Sequence, residues 1–146
     1  MYNILLHLHN IFRWLILIAG FTSTARAYIG WTQNRPWTKR DNLWGLLFSI
    51  FLDLQFLIGI ILYVFLSPLI KSAYHNFGAA MKNPDLRFFA VEHVVVMIVA
   101  IVFIHIGRSR SKKAATASGQ HKTIAVYFTI GLLLILAAIP WGRSLL

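Results

Sequence analysis

Residues 43–66 read LWGLLFSIFLDLQFLIGIILYVFL, an almost unbroken apolar run with one carboxylate, Asp53, near its middle. A helix of about 20 apolar residues crosses a hydrocarbon core, so this run predicts a membrane-spanning helix. Three further apolar runs meet the same criterion, at about residues 3–29, 86–107 and 123–139. None shows the alternation of a barrel strand. The sequence therefore predicts an all-α, integral membrane four-helix bundle that forms a single transmembrane domain over the whole chain.

The composition supports a membrane protein. The chain has 146 residues, of which 58% are hydrophobic and 12% charged, whereas about a quarter of the residues of a soluble domain are charged. The formal net charge of +10 comes mostly from Lys and Arg in the short connectors, which is typical of loops facing the cytoplasm rather than of a nucleic-acid surface. We therefore expect membrane lipid, and no nucleic acid, as a partner.

The basic connectors also predict the orientation. Connector 31–40 is basic, and connector 108–122 has five basic residues and no acid, whereas connector 69–85 also contains Asp85. By the positive-inside rule, the first and third connectors face the cytoplasm and both termini lie on the outer side of a bacterial inner (cytoplasmic) membrane, which the chain crosses several times. No basic stretch precedes the first apolar run, so we expect a retained helix rather than a cleaved signal peptide.

Histidines within the apolar runs are the candidate ligands. A histidine at membrane depth is costly to solvate and usually has a partner, such as a metal, a haem iron or another polar group. His7, His9 and His93 lie at similar depth below the outer ends of their helices. Because His7 and His9 are about 200° apart on a helix, only one of them can face a common centre with His93, and the sequence leaves open which. The polar stripe Asn3–His7–Asn10–Trp14 lies on one face, and His9 and Arg13 lie on another.

A second pair of histidines lies toward the inner side. His105 and His121 are predicted at matching depths, which would allow a second site. The twelve-residue step from His93 to His105, however, turns the helix by roughly 120°. We therefore expect one ligand site rather than two.

Other polar groups within the spans predict an intramembrane network. Its members are Asn10, Asp53, Glu92 and Met97, of which Met97 follows His93 by one turn. Arg13 lies at a depth between those of Asp53 and Glu92, and we expect it to pair with one of these carboxylates or with a haem propionate.

Three stretches resemble a group of small bacterial four-helix membrane proteins that are commonly labelled cytochrome b-like. They are HLHNIFRW at residues 7–14, RPWTKRDN at 35–42 and GAAMKNPDLRFFAVEH at 78–93. The resemblance covers almost the whole chain and implies a haem-binding membrane protein. The roles of the individual histidines follow from their depth and facing, not from that group.

The leading functional hypothesis is a b-type haem-binding subunit for electron transfer, with a quinone or a redox-partner protein as donor or acceptor. His7 or His9 together with His93 would ligate the iron, and Arg13 would lie near a propionate. Any enzymatic role would be that of a redox subunit, and no residue is predicted to be catalytic. The absence of cysteine excludes thiolate catalysis, iron–sulfur clusters and c-type haem.

Two alternatives come from other classes. The first is a copper, other metal or proton transport protein, with His7, His9, His93 and Met97 near the outer face and Asp53 as a relay. The second is a cofactor-free accessory subunit of a larger respiratory or transport complex. Assembly as a homo-oligomer or within a larger complex is expected in each case.

Overall fold

The computed structural model of the chain describes residues 1–142. Its α-helices are α1 (Tyr2–Thr32), α2 (Lys39–Ile61), α3 (Pro68–His75), α4 (Phe77–Lys82), α5 (Pro84–Arg87), α6 (His93–Lys113) and α7 (Ala117–Ala138). Two π-helical segments adjoin the long helices: Leu62–Leu66 continues α2, and Phe88–Glu92 leads into α6. The described residues contain no strand, which confirms the all-α prediction for this part of the chain.

Four helical stretches within residues 1–142 are long and apolar enough to cross a membrane. They are Tyr2–Thr32, Lys39–Leu66, Pro84–Lys113 and Ala117–Ala138. Each contains most or all of one of the four apolar runs predicted from the sequence. The number of long apolar helices and their order are therefore as expected.

The helix ends differ from the predicted ones. The third long helix ends at Lys113 and the fourth begins at Ala117, so the connector predicted over residues 108–122 shortens to 114–116. Arg, Lys, Ala and Gln all favour helix, which lets polar residues extend an apolar span. The hydroxyl of Thr116 accepts a hydrogen bond from the backbone N–H of Gly119 at 3.0 Å and so starts α7.

Hydrogen bonds that were not predicted from the sequence fix the turn between α1 and α2. Thr38 and Asp41 form a capping box, in which Asp41 N–H donates to the Thr38 hydroxyl and Thr38 N–H donates to the Asp41 carboxylate. Arg26 on α1 donates to the same carboxylate at 3.0 Å. The last turns of α1 are thereby joined to the first turn of α2.

The predicted connector 69–85 is itself mostly helical. α3 and α4 pack onto the ends of the long helices through a small apolar cluster that contains Ile70, Ala73, Ala80 and Ala90. We call this end of the bundle the cap end. The opposite end, which has the connectors 33–38 and 114–116, is called the basic end.

The main core lies between the long helices. α7 packs against both α1 and α6, and α1 also packs against α2. Phe48 and Phe128 meet edge to face with ring centres 5.2 Å apart. A Cβ atom at Gly20 would lie 2.8 Å from atoms of Leu132 and Phe48, so glycine permits the close packing of α1 here. This core extends along α7 from Ile124 to Ile139, the residue that follows the helix.

Candidate functional site

A cavity of about 620 Å³ opens among α1, α2 and α6 at the cap end. Its volume is within the range of about 300–1,000 Å³ that is typical of small-molecule and cofactor pockets. Most of its walls are apolar, but polar side chains from three helices line it. They include His7, His9, Asn10 and Arg13 of α1, Gln55 of α2, and His93 of α6, which is followed one turn later by Met97.

Two imidazoles adjoin within this cavity. The rings of His9 and His93 have their centres 6.3 Å apart, and their planes make an angle of 68°. Nδ1 of His93 lies 2.7 Å from the carbonyl oxygen of Ala138. Because a carbonyl only accepts, Nδ1 carries the proton in this contact, and Nε2 of a neutral His93 ring keeps its lone pair.

Gln55 fixes the other side of the site. Its Nε2 donates to the backbone carbonyl of His9 at 2.7 Å, which links α2 to α1 at the level of the ring. Gly59, one turn further along α2, would place a Cβ atom 3.4 Å from Cε1 of His9. The His9 ring is therefore held between α1 and the neighbouring surface of α2.

Arg13 contributes a buried positive charge to the cavity wall. It is 8% exposed, and its Nε and Nη2 have no hydrogen-bond partner within residues 1–142. Its guanidinium carbon lies 5.8 Å from the ring centre of Trp14, a cation–π distance that offsets part of the desolvation. A buried guanidinium of this kind favours an anion beside it.

Unpaired polar atoms are concentrated at this cavity. In the part of the chain that the structure describes, the buried side-chain atoms without a partner are His9 Nδ1, Arg13 Nε and Nη2, Gln55 Oε1 and His121 Nδ1. All but the last belong to residues that line the cavity. Buried polar groups are normally satisfied, so a cluster of exceptions indicates a place for a polar or charged ligand.

His9, rather than His7, adjoins His93. The His7 side chain is exposed, although it reaches the lining of the cavity. α1 buries the stripe that contains Arg13, Ile16 and Gly20, and His9 lies on that stripe. The small and apolar residues of this stripe pack against α2 and α7, and their packing sets the rotation of α1. The structure therefore brings His9, and not His7, next to His93.

The predicted polar network is divided between separate places. Asn10 and Met97 line the cavity, but Asp53 contacts His105 and Glu92 pairs with Arg87 at 2.7 Å. The expected pairing of Arg13 with Asp53 or Glu92 is wrong, because each carboxylate has a nearer basic partner. Glu92, the last residue of the π-helical segment, does not line the cavity.

His105 and His121 do not form a second site together. Nε2 of His105 lies 2.7 Å from Oδ1 of Asp53, whereas His121 is 1% exposed and packs against Trp37 and Gly30. Nε2 of His121 lies 3.4 Å from the carbonyl oxygen of Pro36. Since α6 continues to Lys113 and α7 starts at Ala117, the two histidines are at different distances from the connector.

Two residues of the site were missed from the sequence. Gln55 was visible as an amide in an apolar span, which is a recognisable signal. Tyr63 gave a weaker signal, because tyrosine is common near membrane interfaces. Its hydroxyl donates to the carbonyl of Ala90 at 2.7 Å and joins the two π-helical segments beside the cavity.

Within residues 1–142, the His, Cys, Asp and Glu side chains form no cluster of three or more that is suited to a metal ion. The transport hypothesis predicted a site of His7, His9, His93 and Met97; all four line the cavity, but the three histidines do not form one ligand cluster. No family model, curated protein or solved structure matches the chain.

Proposed function

We propose that the chain is a membrane-embedded electron-transfer subunit that binds one b-type haem, and that His9 and His93 would hold its iron. The observation that carries this proposal is the facing pair of imidazoles in a cavity whose lining has four unpaired buried polar atoms. When bound, the haem supplies reversible one-electron transfer at its iron. The protein supplies the ligands, the counter-charge and an environment that excludes water.

The spacing of the two rings supports their sharing one metal ion. An imidazole nitrogen binds a metal at about 2 Å, so the centres of two rings that share one ion would lie within roughly 6 Å of each other. The observed separation is 6.3 Å. The angle of 68° between the ring planes is compatible with this arrangement, because each ring can rotate about its own bond to the metal.

The hydrogen bond of His93 also suits a ligand. Metal-binding histidines usually donate their second N–H to a carbonyl or carboxylate, which fixes the tautomer and the orientation of the ring. The contact between His93 Nδ1 and Ala138 does this from α7. His9 lacks such a partner on Nδ1, so its ring is held through its backbone and by packing.

Arg13 would balance the negative charge of the ligand. A haem propionate is a carboxylate, and a guanidinium can donate two parallel hydrogen bonds to it. Arg13 has two buried donors without a partner beside the cavity. Pairing these donors with a propionate would remove the cost of leaving them unsatisfied.

The four apolar helices support a multi-pass membrane location. Positive charge near the connectors 33–38 and 114–116 would hold the basic end in the cytoplasm, and the haem pocket at the cap end would then lie near the outer face of the bacterial inner membrane. The exposed apolar helix faces suit lipid, a quinone, or neighbouring subunits of a respiratory complex.

The direct test uses the full chain made in cells that are supplied with haem. We expect the purified protein to show a reducible b-type visible spectrum with about one haem per chain. His9→Ala and His93→Ala should lose most of the haem, whereas the exposed His7→Ala and His75→Ala should retain it. A colourless wild-type preparation, or loss of haem in His7→Ala alone, would reject the proposal.

A further inference from the structure

A histidine–carboxylate pair lies outside the cavity, on the surface where α2 and α6 meet. Nε2 of His105 is 2.7 Å from Oδ1 of Asp53, and the two side chains are 46% and 50% exposed. Neither residue lines the cavity at the cap end. The pair is therefore a second polar feature, separate from His9 and His93.

Most side chains around the pair are apolar and exposed, whereas Arg108 lies one turn away on the side of the basic end. Asp53 is at the middle of the helical stretch Lys39–Leu66. Exposed apolar side chains flank the pair along both helices, namely Ile50, Leu54 and Leu57 on α2 and Val102 and Ile106 on α6. In the proposed membrane location these neighbours face hydrocarbon, where an uncovered polar pair is costly. The occupant of this surface should combine an apolar body with a polar group that reaches this depth.

The hydrogen-bonding groups of Asp53 and His105 further restrict which ligands suit this surface. With Asp53 ionised and His105 neutral, Nε2–H donates to Oδ1, and Nδ1 of His105 and Oδ2 of Asp53 remain acceptors. Acceptors of this kind suit the hydroxyl of a quinol. With one more proton on the pair, Nδ1 becomes a donor and suits a quinone carbonyl. Phospholipid headgroups stay at the membrane surface, so they do not provide such a group at mid-span.

The distance between the pair and His93 suits a site for an electron donor or acceptor. Twelve residues of α6 separate His93 from His105, which corresponds to about 18 Å along the helix axis. One turn toward the basic end, Arg108 donates to the hydroxyl of Ser49 at 3.0 Å and joins α2 to α6 below the pair. The polar surface is therefore bounded on the side of the basic end.

We infer that Asp53 and His105 form a binding site for the headgroup of a membrane quinone or quinol, with its tail along the exposed apolar faces of α2 and α6. This site supplies the electron partner that the proposed function requires. The binding itself does not depend on haem, so the two proposals can fail separately.

The test measures binding of a tritium-labelled short-chain benzoquinone to the full chain in quinone-free lipid nanodiscs, with empty nanodiscs as background. Asp53→Asn and His105→Phe should each weaken binding by about tenfold, as expected for the loss of a hydrogen bond to a charged group. The controls His75→Phe and Asp85→Asn, both on exposed connector residues, should bind as the wild type does. The dimethyl ether of the corresponding quinol should compete poorly with the labelled quinone for binding to the wild type and to each variant.

Equal binding in Asp53→Asn, His105→Phe and the wild type would overturn the inference. The inference would also be overturned if the wild type binds no quinone and the same variants change from dimer to monomer, as measured by nanodisc mass. That result would identify the surface as an interface between copies. Pair-dependent quinone binding by a haem-free protein would uphold the inference and reject the proposed haem function. A normal haem spectrum, together with quinone binding that does not depend on Asp53 and His105, would uphold the proposed haem function and overturn the inference.

Discussion

Arg13 is one turn after His9 on α1, and its unpaired nitrogens lie beside the rings proposed to hold the haem. A positive charge at this position would disfavour the oxidised iron of the proposed haem, which carries one more positive charge than the reduced iron. It also favours an ionised propionate nearby. The reduction potential of the proposed haem would therefore report on this side chain.

Replacing Arg13 with Gln should lower the midpoint potential of the haem. We expect a fall on the order of 60 mV, which is a tenfold change in a one-electron equilibrium, because the charge that stabilises the reduced state is lost. Arg13→Lys keeps the charge and should shift the potential much less. Redox titration followed by the visible spectrum measures both variants. A rise in potential in Arg13→Gln would contradict the assigned role.

At the residue scale, the sequence singled out side chains that the structure places around one cavity, but it did not predict all of their contacts. His93, His9 and Arg13 were recognisable because polar groups are rare in apolar spans. The sequence could not decide which of His7 and His9 faces His93, because the small and apolar contacts of Ile16 and Gly20 set the rotation of α1. The acceptor of His93 is a backbone carbonyl, Ala138, and a backbone carbonyl leaves no mark in a sequence.

At the scale of the elements, the start of α2 is the clearest point of local stabilisation. The Asp41 carboxylate is nearly buried, caps α2 through Thr38 N–H and also accepts from Arg26 of α1. One side chain therefore both starts a helix and joins it to its neighbour. The Thr38 hydroxyl accepts from the backbone N–H of Asp41.

Asp41→Ala should destabilise the fold more than Thr38→Ala does. Loss of a capping side chain costs about 1 kcal/mol, and Asp41→Ala also leaves Arg26 without its carboxylate. Thermal unfolding of the full chain in one detergent measures the difference. Asp85→Ala, an exposed acid in the first turn of α5, serves as the control and should change little. Equal effects of Asp41→Ala and Asp85→Ala would contradict the proposed double role of Asp41.

The long helices were predictable from apolar runs, whereas their ends were not. Apolar content marks the part of a helix suited to hydrocarbon, but α6 continues through Arg110 and Lys113, which are good helix formers. The helices α3 and α4 are short and mixed in composition, so no apolar run marks them. The two π-helical segments beside the cavity depend on packing, including the bond between Tyr63 and Ala90.

At the scale of the whole molecule, charge and shape are unevenly distributed. The cap end has the cavity and the helices α3 and α4, and the basic end has short connectors that adjoin basic side chains. This asymmetry predicts one orientation in the membrane, with the basic end in the cytoplasm. The natural chain has no cysteine, so single introduced cysteines report on each end without background.

Ser72→Cys, on the exposed surface of α3, should react with a membrane-impermeant maleimide in intact spheroplasts. Ala115→Cys, in the connector at the basic end, should react only after the cells are lysed. Gel-shift labelling of the full chain measures both. Labelling of Ala115→Cys in intact cells with protection of Ser72→Cys would show the opposite orientation.

The central claim is that His9 and His93 share one iron. Electron paramagnetic resonance of the oxidised full chain tests it most directly, because two axial imidazoles give a low-spin ferric signal and one gives a high-spin signal. We predict a low-spin signal for the wild type and for His7→Ala, and a high-spin signal for any haem retained by His9→Ala or His93→Ala. A high-spin wild type, or a low-spin signal that persists in His93→Ala, would contradict the claim.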